Sequence, residues 1–196
     1  MLVIGNGESR KDIDLDKHID TKIGCNAIHR DYRVDHLICV DRRMVQQAVD
    51  ANVNETSIVY TRTDWIDAYR SNQKIRTVPK LLEEGNERWD EPFQWGSGPY
   101  AVLLGAKMNE EVSLIGFDLY STTNNVNNVY KDTNGYDAST KRAVDPRYWI
   151  HQIGKVFEIY RRRTFTIYQQ QDWELPKVWN YPNVSVDNIS NISYNK

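Results

Sequence analysis

Polar residues suited to phosphate and ribose recur along the chain at the ends of apolar runs. Asn6 follows Leu2-Val3-Ile4 and stands between Gly5 and Gly7, Asn26 follows residues 22–25, Asp41 follows 36–40, and Asp118 follows 112–117. Ser97 stands between Gly96 and Gly98, just ahead of a strongly apolar segment. An Asn side chain donates and accepts, a carboxylate only accepts, and glycine lets backbone N–H groups approach a ligand closely. In a shared pocket, Asn6 and the backbone near Gly7 would meet phosphate or ribose. Asn26 and Asp41 would take ribose hydroxyls or a base edge, and Ser97 with its helix a phosphate or a base carbonyl. A helix starting near Ser9 would turn its positive end back toward Gly5-Asn6-Gly7, which favours an anion there. A Gly-x-Gly turn by itself serves equally well as a tight strand-to-loop turn with no ligand. Four polar strand ends together with two glycine-flanked helix starts favour a nucleotide pocket.

These residues can act together only if a sheet brings them to one edge. Apolar runs at 2–4, 22–26, 36–41, 57–61, 74–78, 112–118 and 164–168 read as strands. Met44, Val45, Ala48 and Val49 give a helical spacing over 42–51. A second helix starts at Ser97 as N-cap with Pro99 in its first turn, and is apolar on nearly every face, as a buried helix must be. A third follows Asp145-Pro146, with Ile150, Ile153, Phe157 and Tyr160 as its buried face. The alternation predicts an α/β fold: one Rossmann-like domain over 1–196, with a mostly parallel sheet and helices on both faces. Ligands of such sheets bind at the carboxyl ends of the strands. Residues 81–94 show no period and read as a loop with short helical turns. The aromatic stretch 89–95 inside it is a candidate surface for self-association. The polar stretch 121–143 reads as an insertion, either a lid over the site or a mobile loop. The tail, 170–196, is expected to wrap the surface. Asp12, Asp14 and Asp16 alternate with apolar residues, which fits a metal-binding Asp-x-Asp or solvated acids with Ile13 and Leu15 turned inward.

A length of 196 residues suits one domain with a full core. Lys and Arg number 25 against 27 Asp and Glu, a net charge of −2, so no basic excess points to nucleic acid. Cys25 and Cys39 lie inside apolar runs and read as buried thiols without a disulfide framework. No apolar segment reaches the length of a membrane span, and the chain opens on a strand with no charged leader. The expectation is a soluble, cytoplasmic protein.

Taken in order, Gly5-Asn6-Gly7-Glu8-Ser9, Cys25-Asn26, Ser97-Gly98-Pro99-Tyr100-Ala101 and Gly116-Phe117-Asp118-Leu119-Tyr120 resemble the motifs of bacterial sialyltransferases of glycosyltransferase family 42. They are also similar to those of the wider group of motility accessory factors and pterin-diphosphokinase-like proteins. The resemblance spans Leu2 to about Tyr168. It implies a Rossmann-like domain of the GT-A-like variety that binds CMP-sialic acid or a similar activated sugar. It further implies inverting, metal-independent transfer to a hydroxyl acceptor, with the nucleotide-sugar as substrate and no cofactor. Asn6, Asn26, Asp41 and Ser97 fall where the family contacts the nucleotide, and Asp118 on its acid after the Gly. Tyr120 and Tyr130 fall where family tyrosines bind the leaving phosphate. Asp41 replaces an Asn of the family pattern, and Glu8 stands where Pro is usual. The family's general base is a His just before the late helix. Arg147 stands at that place here, and His151 one helical turn later. His151 is either that base or a partly exposed helix histidine, and Arg147 is a candidate phosphate clamp, since Arg holds its proton at neutral pH. The resemblance thus implies a glycosyltransferase. A nucleotide-binding module without chemistry is the alternative, and a diphosphate-transfer enzyme of the pterin type, which needs a metal and clustered acids, a third.

Overall fold

The structure is a computed structural model that describes residues 1–82 and 95–192. The apolar runs form strands β1 (Leu2–Ile4), β2 (Lys22–Cys25), β3 (His36–Ile38), β4 (Ile58–Thr61), β5 (Ile75–Thr77), β6 (Glu111–Ile115) and β7 (Thr164–Gln169). An eighth, β8 (Val184–Asn188), comes from the stretch expected to wrap the surface as a tail. All neighbouring strands are parallel, in the order β5-β4-β3-β2-β1-β6-β7-β8. The fold is therefore α/β, a single eight-stranded parallel sheet of Rossmann-like kind.

Parallel strands need crossover connections, and these cover both faces. The helices are α1 (Arg42–Asp50), α2 (Val53–Thr56), α3 (Thr63–Ile66), α4 (Ser97–Met108) and α5 (Arg147–Ile159). Successive residues of a strand point to opposite faces. Val3 accordingly packs with α4 and α5, while Leu2 and Ile4 pack with Met44, Val45 and Ala48 of α1. Burial on both faces is why the strands read as unbroken apolar runs. α4 lies hard against the sheet: a Cβ at Gly105 would stand 2.9 Å from Val3 Cγ2. No helix among the described residues is long and apolar enough to cross a membrane. The predicted loop over 81–94, with most of its aromatic stretch, falls largely outside the described residues.

Topology sets where a ligand can sit. From β1 the sheet grows one way through β2 to β5 and the other way through β6 to β8. The strand order thus reverses between β1 and β6, and their loops leave in opposite directions, opening a crevice at their carboxyl ends. α4 and α5 each return the chain to the start of the next strand, so their N-termini lie at that same edge.

Candidate functional site

The crevice is a cleft of about 470 Å³, within the size range of small-molecule sites, about 300–1,000 Å³. It gathers the expected strand ends and helix start: Gly5, Asn6 and Gly7 after β1, Asn26 after β2, Asp41 after β3, Asp118 after β6, and Gly96, Ser97 and Gly98 at α4. The central glycines are there for contact between backbones. A Cβ at Gly5 would lie 2.3 Å from the Gly116 carbonyl oxygen, and Gly116 itself holds φ +68°. Gly5 N–H donates to Ile115 O and Gly7 N–H to Gly116 O, each at 2.8 Å. The two loops of the switch point are thereby laced together.

This lacing alters the role read for the first turn. Four of its backbone donors are already engaged: beyond Gly5 and Gly7, Glu8 N–H donates to Asn127 Oδ1 and Ser9 N–H to Asp118 Oδ2, both at 2.9 Å. Residues Glu8–Arg10 form only a single 3₁₀ turn, too short to direct a dipole at an anion. Asp118 also accepts from Ser9 Oγ and from Gln169 Nε2, and its carboxyl group sits where a Gly7 Cβ would be. Asn6 donates from Nδ2 to Cys25 O at 3.1 Å and accepts at Oδ1 from Arg10 at 3.3 Å. Asn6 and Asp118 thus line the cleft with their polar groups engaged by the protein itself, and Ser9 braces Asp118 from outside the lining.

Two open backbone donors lie at the start of α4. Gly96, not Ser97, is its N-cap and brings no capping side chain. Pro99 has no N–H, so Ser97 and Gly98 N–H are the donors that no described residue takes up. Ser97 is the first helical residue, and its Oγ donates to Asn26 Oδ1 at 2.8 Å and accepts from Val40 N–H at 3.2 Å. One hydroxyl therefore pins α4 to the ends of β2 and β3. Asn26 adopts φ +50°, a conformation Asn tolerates, and keeps its Nδ2 without a partner among the described residues. Asp41 is the N-cap of α1, yet its exposed carboxylate caps nothing and faces the cleft it lines.

Sequence reasoning missed three contributors. Trp149 of α5 lines the cleft with its indole beside Gly96. Arg62, directly after β4, lines it too, ion-paired to Asp64. Asn127 and Asn128 come from the 121–143 insertion. Arg62 follows the strand-end rule that found Asn26 and Asp41. Trp149 precedes Ile153 by four residues, which puts both on one helix face.

That face does not carry His151, the candidate base. An α-helix turns about 100° per residue, so residues two positions from Trp149 point to the far side. His151 is exposed there and does not line the cleft. Arg147 is likewise outside, exposed, with Nε bonded to Asp145 Oδ2 at 2.7 Å. The two tyrosines are also elsewhere. Tyr130 is buried and accepts from Arg10 Nη2 at 3.2 Å, and burial raises its phenol pKa. Tyr120 faces a neighbouring cleft. Among the described residues, no histidine lines the switch-point cleft.

The insertion is tied down along its length. Val129 N–H donates to Asn6 O at 2.9 Å, Lys131 pairs with Glu8 at 2.7 Å, and Arg43 donates to Gly135 O at 2.7 Å. Tyr136 OH lies 3.4 Å from both Asn6 Nδ2 and Ala27 N, and burial pushes its pKa up to about 12. The Asp12-Asp14-Asp16 run stays on the surface side: Asp14 accepts from Asp16 N–H and pairs with Lys17, while Leu15 is buried. Among the described residues, no three His, Cys, Asp or Glu side chains converge as metal ligands do. Cys25 and Cys39 are free, buried thiols, and burial pushes Cys25 up to about 12.

Comparison with protein-family models, curated proteins and solved structures found no match to the chain. What the cleft binds is therefore inferred from its geometry.

Proposed function

We propose that the switch-point cleft binds the nucleotide half of an activated sugar, a CMP-sugar, and that the chain is a sialyltransferase-like glycosyltransferase acting on a hydroxyl acceptor. The observation that carries this reading is the meeting of the α4 N-terminus, Asn26, Asp41 and the Trp149 ring in one cleft. Phosphate sits on the Ser97 and Gly98 N–H groups, where the helix end favours negative charge. Asp41 accepts from ribose hydroxyls, Asn26 Nδ2 donates to the base or ribose, and Trp149 stacks on the base. In transfer, the acceptor oxygen bonds to the anomeric carbon as the glycosyl–phosphate bond breaks. The nucleotide leaves with the electron pair, and the hydroxyl proton passes to solvent water. The α4 end stabilises the charge that gathers on the leaving phosphate. Free buried thiols at Cys25 and Cys39 fit a reducing, cytoplasmic setting.

Incubation with CMP-sialic acid and a panel of other sugar nucleotides, following hydrolysis and transfer, tests the reading. Turnover of a CMP-sugar without added metal is expected. A folded protein that turns over no donor would overturn the transferase. A second reading, a nucleotide-binding module without chemistry, is favoured by the placement of His151 and Arg147 outside the cleft. Micromolar binding of CMP with no turnover of any donor would select it.

A further inference from the structure

For an anionic ligand, the switch-point cleft is short of positive charge. Its lining holds two carboxylates, Asp41 and Asp118, against one cation, Arg62, which is itself paired with Asp64. The N–H groups at the start of α4 favour phosphate but carry only partial charge. A full positive charge lies one side chain behind the lining. Arg10 is only 3% exposed, the one buried Lys or Arg among the described residues. Its Nε donates to Gly5 O at 2.7 Å, and its Nη2 to Asn6 Oδ1 at 3.3 Å and to Tyr130 OH at 3.2 Å. The Tyr130 ring centre lies 5.6 Å from its Cζ.

All of these partners are neutral, and no described carboxylate forms an ion pair with Arg10. Asp118, the one buried carboxylate among the described residues, is taken up by Ser9 and Gln169 instead. Burial raises the Tyr130 phenol pKa, Arg10 pulls it back, and Asp31 raises it again. A guanidinium holds its proton even when buried, and buried charges are ordinarily paired. An uncompensated charge of this kind is costly to the protein alone and useful to a site that must hold an anion.

The charge reaches the cleft through Asn6 and Cys25, both in its lining. Arg10 holds Asn6 Oδ1, so the positive end of that amide, Nδ2, is turned toward Cys25 O and Tyr136 OH. Donation to the oxygen polarises the amide further. Burial pushes the Cys25 thiol up to about 12 with Arg10 pulling against it, so the guanidinium's field is felt at the cleft wall.

We infer that Arg10 is a positioning residue for an anionic group in the switch-point cleft. From behind Asn6 it supplies the uncompensated positive charge that the lining lacks, and it holds the Gly5–Gly7 turn in place. The inference rests on the nucleotide reading above and assigns part of the phosphate's stabilisation to a side chain that does not touch it.

Calorimetric titration of wild type, R10M and R10K with CMP and with cytidine, which differ by the phosphate alone, tests the inference. R10M removes the charge and keeps a long side chain. It should lose about tenfold in CMP affinity, the scale of a Coulomb interaction across a wall of low dielectric, and keep cytidine within about twofold. R10K keeps the charge without the planar fork and should keep the wild-type preference for CMP over cytidine. A ³¹P titration of bound CMP reads the charge separately. The second phosphate pKa, about 6 in a free monoester, should lie about one pH unit lower in wild type and R10K than in R10M. Equal weakening of CMP and cytidine in R10M, or the same phosphate pKa in R10M and wild type, would make Arg10 a mere brace for the turn and overturn the inference. Should R10M fail to fold by circular dichroism, R10K decides: a retained CMP preference supports the role of charge, and its loss overturns it. A wild type that binds no CMP would instead overturn the nucleotide reading, and the inference with it.

Discussion

Replacing Gly5 with alanine should unlace the switch point. The new Cβ would stand 2.3 Å from the Gly116 carbonyl oxygen, against about 3.4 Å for ordinary contact, so the loops must part by about 1.1 Å. Movement on that scale breaks hydrogen bonds now at 2.7–2.8 Å, chiefly Gly7 N–H to Gly116 O and Arg10 Nε to Gly5 O. A neutral bond contributes about 0.5–1.5 kcal/mol and one from a charged donor about 1.5–3 kcal/mol. The expected loss is therefore about 2–4 kcal/mol, or a fall in melting temperature of roughly 4–16 °C for a domain of this size. Differential scanning calorimetry measures it directly. G98A supplies the control from the same cleft, since a Cβ there meets only Phe117 Cε1 at 3.4 Å. Alanine also suits the first turn of α4 better than glycine, so G98A should melt at or above the wild-type temperature. A Gly5→Ala melting temperature within about 2 °C of wild type would refute the close backbone crossing on which the cleft is built.

Three further outcomes follow from the placement of side chains. Trp149→Ala should weaken CMP by about 1–3 kcal/mol in calorimetry, the usual worth of a stacked base, and unchanged affinity would remove the ring from the site. His151→Ala and Arg147→Ala should leave CMP affinity within about twofold of wild type, because neither lines the cleft; a large loss from either would show that α5 presents a different face. Burial lowers the pKa of His18, His29 and His36 below the ordinary histidine value. The unfolded chain therefore takes up protons first as pH falls through about 6.5, so the melting temperature should drop from pH 7.5 to 5 and His36→Gln should flatten the fall.

The sheet was legible because strands buried on both faces leave unbroken apolar runs. Leu2-Val3-Ile4 and Leu37-Ile38-Cys39 carry that mark, whereas β8 does not. It is an edge strand, and Val184, Ser185, Val186, Asp187 and Asn188 are all at least partly exposed. The carboxyl-edge site was legible for the same reason: a parallel sheet delivers Asn26, Asp41 and the α4 start to one edge whatever the loops do. Legibility failed where partners are remote in sequence. Asn127 and Asp118, more than a hundred residues on, take up the donors at Glu8 and Ser9. Arg10, a charged residue in a polar string, ends 97% buried against Gly5 O, Asn6 and Tyr130. The misplacement of His151 has a local cause. Ile153 and Phe157 already set the phase of α5, and that phase carries Trp149, not His151, to the cleft.

Chemical-shift mapping of ¹⁵N-labelled protein titrated with CMP tests the central claim most directly. The backbone amides of Ser97 and Gly98 and the indole N–H of Trp149 should move together along one saturable curve. Shifts confined to other surfaces, such as the arginine-rich turn at 161–163, or no shifts at all, would contradict a nucleotide site at the β1–β6 crevice.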